Sequence, residues 1–146
     1  MSFEVKKILL PKNPHLDPIA ACYLLFKYGE EKFPGITSAS LEAWPYSDSP
    51  TEEMKNHWQK EGVLAIDVGQ GLFDHHQRQD DSTSVSLVAE YLGISERPEI
   101  QELIRYIQED DLWGLHNRWG DLAQIIKCLN KTGYKLEDIF NFVFNI

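Results

Sequence analysis

The sequence predicts an α/β fold with a parallel sheet that is flanked by helices and followed by C-terminal helices. Short apolar segments alternate with segments whose apolar residues recur at helical spacing, which is the order that parallel sheets require. The chain has 146 residues, 42% of them hydrophobic, which is enough for one domain with a substantial core. Because no repeat, linker or low-complexity tract divides it, we expect a single Rossmann-like domain over residues 1–146.

The N-terminal part predicts a strand, a helix and a second strand. Val5–Leu10 ends in an apolar triplet before a proline and predicts a short buried strand. A helix follows from Asp17, its predicted N-cap, with Pro18 at the first helical position, to about residue 33, where Phe-Pro-Gly ends it. Ile36–Trp44 predicts the second strand.

The central part predicts a polar helix and the clearest strand of the sequence. The helix is capped by Ser49 or Asp48, has acidic residues in its first turn and ends at Gly62. Val63–Val68 is the third predicted strand, and Asp67 lies at its carboxyl end.

The remaining chain predicts helices. Val85–Leu92 is entered through a Ser-Thr-Ser cluster, for which capping is the expected role, and is closed by Gly93. Glu99–Gln108 predicts the next helix, after which Glu-Asp-Asp-Leu-Trp-Gly breaks the pattern. Residues 120–130 and 135–145 predict two more.

The net charge of −9 argues against a long nucleic-acid partner, which needs clustered Lys and Arg, whereas the 14 basic residues here are scattered. A short phosphorylated substrate stays compatible, because bound divalent cations would change the local sign. Cys22 and Cys128 lack paired spacing and predict buried thiols in a reducing compartment. With no signal peptide and no apolar run of membrane-spanning length, the sequence predicts a cytoplasmic protein without a membrane partner.

Titratable side chains are concentrated after the predicted strands. In parallel sheets, ligands bind beyond the carboxyl ends of the strands. Hard divalent cations take carboxylate oxygens, and manganese and zinc also take imidazole nitrogens. Each acid or histidine alone is ordinary, but eight from three separate segments predict a metal site: His15, Asp17, Asp67, Asp74, His75, His76, Asp110 and Asp111.

Four segments resemble motifs of the DHH phosphoesterase superfamily. IDVGQGLFDHHQ resembles its second and third motifs, NPHLDPIAACYLL its first and IQEDDLWG its fourth, while STSVSLVAEYLG resembles the helix after the Asp-His-His triplet. The resemblance covers residues 5–115 and leaves 116–146 as a helical extension. Members of the superfamily include exonucleases, oligoribonucleases, cyclic-dinucleotide phosphodiesterases and manganese-dependent pyrophosphatases.

The resemblance implies a role for each residue of the central motif. Asp67 is similar to the carboxylate that bridges two metals, and His75 to a metal ligand. His76 corresponds to the substrate-facing histidine, and Asp74 to a partner that orients the loop. Arg78 either contacts phosphate or is an exposed surface residue.

The outer motifs complete the implied ligand set. Asp17 is similar to the second aspartate of the first motif, and Asp111, or alternatively Asp110, to the ligand of the fourth. The chain departs from the first motif, because Pro11 stands where the family has a histidine and His15 stands in place of its first aspartate. Most members carry a C-terminal substrate domain with a Gly-rich, His-containing motif, which the residues after Gly120 do not offer. A partner subunit, for instance in a homo-oligomer, is an alternative source of that half of the cleft.

Together these features predict a metal-dependent phosphoesterase that acts on a small phosphorylated substrate or short nucleotide. Mn²⁺ is the expected metal, with Mg²⁺, Fe²⁺ and Zn²⁺ as alternatives. The resemblance implies two metal positions, of which one is complete, with Asp17, Asp67, His75 and Asp111 as its ligands. The other keeps only His15 and Asp67 and is expected to bind its ion weakly. The competing hypotheses are a metal- or nucleotide-binding regulatory module without turnover, and an α/β domain in which the acids and histidines are incidental.

Overall fold

A computed structural model describes residues 3–113 and 120–144 of the chain. Three strands form one parallel sheet in the order β2-β1-β3: β1 (Lys7–Leu10), β2 (Ser40–Ala43) and β3 (Val63–Ala65). Because all three run in the same direction, their carboxyl ends lie at one edge of the sheet. The predicted α/β class with a parallel sheet is confirmed.

Six α-helices occur in the described residues, and a short 3₁₀ turn at Ile36–Ser38 precedes β2. None of these helices is long and apolar enough to cross a membrane. The helices are α1 (Leu16–Tyr28), α2 (Glu52–Glu61), α3 (Ser84–Tyr91), α4 (Pro98–Asp111), α5 (Gly120–Lys131) and α6 (Leu136–Phe144).

The central strand β1 is apolar on both faces. Ile8 and Leu10 point into the main core, which α1 and α3 also line, while Leu9 packs on the opposite face with Trp44 and Val63. This alternation follows from the two-residue period of a strand. A central strand covered on both sides reads as a continuous apolar run, as Ile-Leu-Leu does here.

The first predicted helix has different ends in the structure. His15 is the N-cap residue, and Asp17 is the second helical residue rather than the cap. The helix ends at Tyr28, with Gly29 as its C-cap, rather than near residue 33, and the amide of Phe33 then closes a separate turn onto the carbonyl of Gly29. The buried Phe33 is thereby turned into the core.

Two other boundaries were predicted incorrectly. Thr51, rather than Asp48 or Ser49, caps α2, since its hydroxyl accepts a hydrogen bond from the amide of Met54. The third strand stops at Ala65, and Ile66 forms only an isolated bridge to Phe73. Asp67 therefore begins a loop instead of ending the strand.

The remaining corrections concern the second strand, α4 and one cysteine. The strand is confined to Ser40–Ala43, because the 3₁₀ turn takes up the start of the predicted segment. Helix α4 continues to Asp111, beyond its predicted end near Gln108. Cys22 is buried as expected, but Cys128, which lies in α5, is exposed and so was predicted incorrectly.

Replacing Gly62 by alanine is expected to destabilise the fold. Gly62 ends α2 with φ +75°, and an added Cβ would lie 2.7 Å from the backbone oxygen of Glu4. Gly133 has a similar φ of +81° but no atom within 4 Å of an added Cβ, so Gly133→Ala is the matched control. We expect Gly62→Ala to lower the free energy of unfolding by about 1–2 kcal/mol more than Gly133→Ala in urea denaturation. Equal losses would show that the close approach to Glu4 has no energetic consequence.

Candidate metal centre

Asp67 lies at the start of the loop after β3 in a conformation that few residues adopt. Its φ is +60°, and its amide donates to the carbonyl of Phe73 at 3.0 Å. Its side chain is buried, and within the described residues its Oδ1 atom accepts no hydrogen bond. A buried carboxylate oxygen without a donor is costly, and backbone strain of this kind is concentrated at functional sites.

Asp74 fixes the loop that carries the two histidines. Its carboxylate accepts hydrogen bonds from the amides of Gln70 at 2.8 Å and His76 at 3.1 Å. The rings of His75 and His76 stack with centroids 4.6 Å apart. The loop therefore holds both imidazoles in defined orientations.

Asp17 connects the first motif to the start of α3. Although it lies in α1, its carboxylate accepts hydrogen bonds from the amides of Ser84 at 2.8 Å and Val85 at 2.9 Å. Thr83 is the N-cap of α3 and forms a reciprocal capping box with Ser86, so the expected capping role of the Ser-Thr-Ser cluster is confirmed. The anion at this helix N-terminus is thus supplied by the chain itself.

Three separate segments of the chain meet at the Nε2 atom of His75. Three carboxylate oxygens surround it, and the His75 side chain is only 10% exposed. A single imidazole N–H offers one proton and cannot donate well to three acceptors. The distances from Nε2 are 3.5 Å to Oδ2 of Asp17, 3.3 Å to Oδ1 of Asp67 and 3.4 Å to Oδ2 of Asp111.

These spacings match those between neighbouring ligands of one cation. With metal–ligand distances of about 2.0–2.4 Å, adjacent ligand atoms are about 3.0–3.5 Å apart. In each of two groups, Asp17 with His75 and Asp111, and Asp67 with His75 and His76, one possible ligand atom per residue lies within 4.8 Å of the others. The structure therefore contains Asp and His groups able to hold a metal ion.

The electrostatics of the site favour a cation. Burial raises the pKa of Asp17 to about 7, against the opposing hydrogen bonds from the start of α3. Burial, together with the nearby Asp17, raises the pKa of Asp67 to about 8. Burial also lowers the pKa of His75 and so favours the neutral imidazole, which is the form that binds metals. Without a cation, the carboxylates retain protons that a metal would displace.

His76 has a different environment from His75. Its side chain is 58% exposed, and its Nδ1 atom lies 2.6 Å from Oδ1 of Asp74. Burial opposes the charged form, but the hydrogen bond to Asp74 and the nearby Asp67 outweigh it and raise the pKa of His76. Burial also opposes the charged form of Asp74, but the hydrogen bonds from the His76 ring and from the amides of His76 and Gln70 outweigh it and lower the pKa of Asp74. With Nδ1 engaged by Asp74, Nε2 is the nitrogen available to a substrate.

Three predicted site residues lie apart from this cluster. Neither His15 nor Asp110 belongs to a group that could hold a metal among the residues the structure describes. His15 is exposed beside α5, and Asp110 lies 4.0 Å from Nζ of Lys127. Arg78 pairs with the exposed Asp80 at 3.6 Å.

Two parts of the site were missed from the sequence. The Ser-Thr-Ser cluster marks the start of a helix, but nothing local shows that Asp17, 67 residues earlier than Ser84, reaches its amides. The second part is the face of α5 next to the first-motif loop, where Asn130 donates to the carbonyl of Pro14 at 2.8 Å. The only indication in the sequence was the three- and four-residue spacing of polar residues along α5, which places them on one face of the helix.

Comparisons of the chain with protein-family models, with curated proteins and with solved structures found no match. The resemblance to the DHH superfamily therefore stays a prediction that depends on the motifs quoted above. The geometry of the cluster stands independently of it.

The paired aspartates at the end of α4 provide an internal control for the metal site. Asp111 faces His75, whereas Asp110 faces Lys127. We expect Asp111→Asn to weaken Mn²⁺ binding by about 10- to 100-fold and Asp110→Asn to change it less than about threefold. Isothermal titration of the metal-free variants measures both. A larger loss of Mn²⁺ affinity in Asp110→Asn than in Asp111→Asn would show that Asp110, and not Asp111, is the ligand.

Proposed function

We propose that the protein is a metal-dependent phosphoesterase that acts on a small phosphorylated substrate or short nucleotide. The observation that carries the metal site is the convergence of three carboxylates on Nε2 of His75, with Oδ1 of Asp67 buried and lacking a donor in the described chain. The hydrolytic activity is supported by the resemblance of the motifs. A Rossmann-like arrangement within a single domain is part of the same proposal.

Asp17, Asp67, His75 and Asp111 would hold the metal. Three carboxylate oxygens and one imidazole form a set that suits Mn²⁺, while Zn²⁺, Fe²⁺ and Mg²⁺ are the alternatives. The cation would supply Lewis acidity toward a phosphoryl oxygen. It would also offset the burial and the repulsion from Asp17 that together raise the pKa of Asp67.

His76 is the residue assigned to the substrate. Asp74 orients its ring and stabilises its protonated form, so Nε2 can donate a hydrogen bond to a phosphoryl oxygen and neutralise developing negative charge. Arg78 is proposed as a second phosphate contact. Its ion pair with Asp80 is exposed, and such pairs contribute little to stability, so Arg78 can exchange Asp80 for a phosphate at little cost.

The test is an assay of the purified protein with Mn²⁺ on p-nitrophenyl phosphate esters, pyrophosphate and short oligonucleotides. The proposal expects turnover of at least one of them that is lost in Asp67→Asn and reduced about 100-fold or more in His76→Gln. Retained metal binding in His76→Gln separates its role from that of the metal ligands. Turnover that persists in Asp67→Asn would contradict the proposal.

A metal-binding module without turnover is the second candidate. The specific observation in its favour is the position of His15, which lies outside both metal-holding groups of the described chain and leaves the second metal position with few ligands. Tight Mn²⁺ binding that disappears in Asp67→Asn, without turnover of any of these substrates, would favour this candidate.

A further inference from the structure

A small cavity lies between the loop after β1 and the last turns of α5. Its volume is about 200 Å³, which is smaller than the cavities that hold whole drug-sized ligands. It is lined by Asn13, His15, Lys127, Asn130 and Lys131. This combination offers two ammonium groups, two side-chain amides and one imidazole in a chain whose net charge is −9.

The fold brings these side chains together by two independent means. Lys127, Asn130 and Lys131 are spaced three and four residues apart and therefore share one face of α5. The loop is held against that face by the hydrogen bond from Asn130 to the carbonyl of Pro14, and Asn13 adopts a left-handed φ of +52°. His15 is thereby placed beside the lysines rather than among the carboxylates.

The cavity borders the metal centre through two chain segments. His15 precedes the metal-centre residue Asp17 by two positions. Asp110 lies 4.0 Å from Lys127, while the adjacent Asp111 contacts His75. Residues of the metal centre thus lie within two positions of residues that line or contact the cavity.

We propose that this cavity binds a phosphate or other compact anionic group of the substrate, away from the phosphate that reacts. The substrate class is then a small molecule with two anionic groups, and the inference rests on the proposed function for the reacting one. Two lysines one turn apart repel each other, and an anion between them would relieve that repulsion. The attraction must come from the side chains, because the C-terminal end of α5 carries partial negative charge.

The inference gives His15 a different role from the one its sequence position implies. An exposed imidazole that shares a cavity with Lys127 and Lys131 is poorly placed to hold a cation, since both ammonium groups repel it. The same imidazole can donate a hydrogen bond to an anionic oxygen. The chain would then supply, from α5, substrate contacts that lie outside the metal cluster.

Titration of the metal-free protein with inorganic phosphate at low salt tests the inference without any hydrolysis. We expect Lys127→Gln and Lys131→Gln each to weaken phosphate binding about three- to fivefold, and the double variant about tenfold or more. Lys60→Gln is the matched control, because Lys60 is an exposed lysine in the last turn of α2. Acetate, titrated in parallel, shows whether the cavity selects phosphate over a carboxylate.

A second pair of titrations separates this inference from the proposed function. His15→Gln should weaken phosphate binding and leave Mn²⁺ affinity within about twofold of the unchanged protein. Unfolding midpoints of all variants verify that the fold is intact. Phosphate affinity that is unchanged in the double lysine variant, or Mn²⁺ affinity that falls in His15→Gln, would overturn the inference. A failure of Asp67→Asn to lose Mn²⁺ would instead overturn the metal site and leave the cavity in place.

Discussion

Replacing Asp67 by asparagine is expected to make the metal-free protein more stable and to abolish tight metal binding at the same time. The carboxylate is buried close to Asp17, with one oxygen lacking a donor in the described chain. Asparagine keeps the shape, removes the charge and tolerates the left-handed φ of +60°. We expect a gain of about 1–3 kcal/mol in the free energy of unfolding without metal.

The loss of metal binding should be larger than this gain. Removing a direct ligand is expected to weaken Mn²⁺ binding by about 100-fold or more. Saturating Mn²⁺ should therefore raise the unfolding midpoint of the unchanged protein and not that of the variant, because a ligand stabilises only the state that binds it. Asp48→Asn, at an exposed aspartate, is the control and should change neither quantity. If Asp67→Asn instead destabilised the metal-free protein, the carboxylate would be shown to stabilise the fold, which would contradict this account.

The stability of the metal-free protein is expected to fall as the pH rises from about 5 to about 8. In the folded protein the pKa of Asp17 is raised from 3.8 to about 7 and that of Asp67 from 3.8 to about 8. A group whose pKa is raised by folding contributes stability below its unfolded pKa and loses it as the pH rises through the folded value. The raised pKa of His76 acts in the same direction, and the lowered pKa of His75 acts in the opposite direction below about pH 6.5.

Excess Mn²⁺ should reverse this pH dependence. The cation binds the deprotonated carboxylates and the neutral imidazole, so its stabilising effect grows over the same pH interval. Urea denaturation at several pH values, with and without Mn²⁺, measures both profiles. The metal-free Asp67→Asn variant should show a shallower slope, because one of the responsible groups no longer titrates. Parallel profiles with and without Mn²⁺ would contradict the assignment of these carboxylates to a cation.

The α/β class and much of the candidate site could be predicted because their signals are local. The apolar run of β1 and the Asp-His-His triplet each lie within a few consecutive residues. Parallel strands then bring the segments after β1 and β3 to the same edge of the sheet, which places Asp17 and Asp67 close together. The position of Asp111 required a further signal, the resemblance to the fourth motif.

The details that could not be predicted depend on contacts between distant segments. Asp17 has the sequence pattern of an N-cap, yet its carboxylate accepts hydrogen bonds from the first amides of α3 instead of capping its own helix. Because Asp17 is buried, the amides of Ser84 and Val85 supply the donors that water supplies to an exposed carboxylate. His15 stands where the resemblance predicts a metal ligand, yet the docking of α5 through Asn130 places it beside lysines. The residues of the loop after β1 give no indication that α3 and α5 contact this segment.

The central claim is that Asp17, Asp67, His75 and Asp111 form one metal site. The most direct test is anomalous diffraction from crystals of the protein grown with Mn²⁺. The account predicts an anomalous peak about 2.0–2.4 Å from Nε2 of His75 and from one carboxylate oxygen of each of the three aspartates. A strong peak coordinated by His15 without these residues, or no peak at the cluster under saturating Mn²⁺, would contradict it.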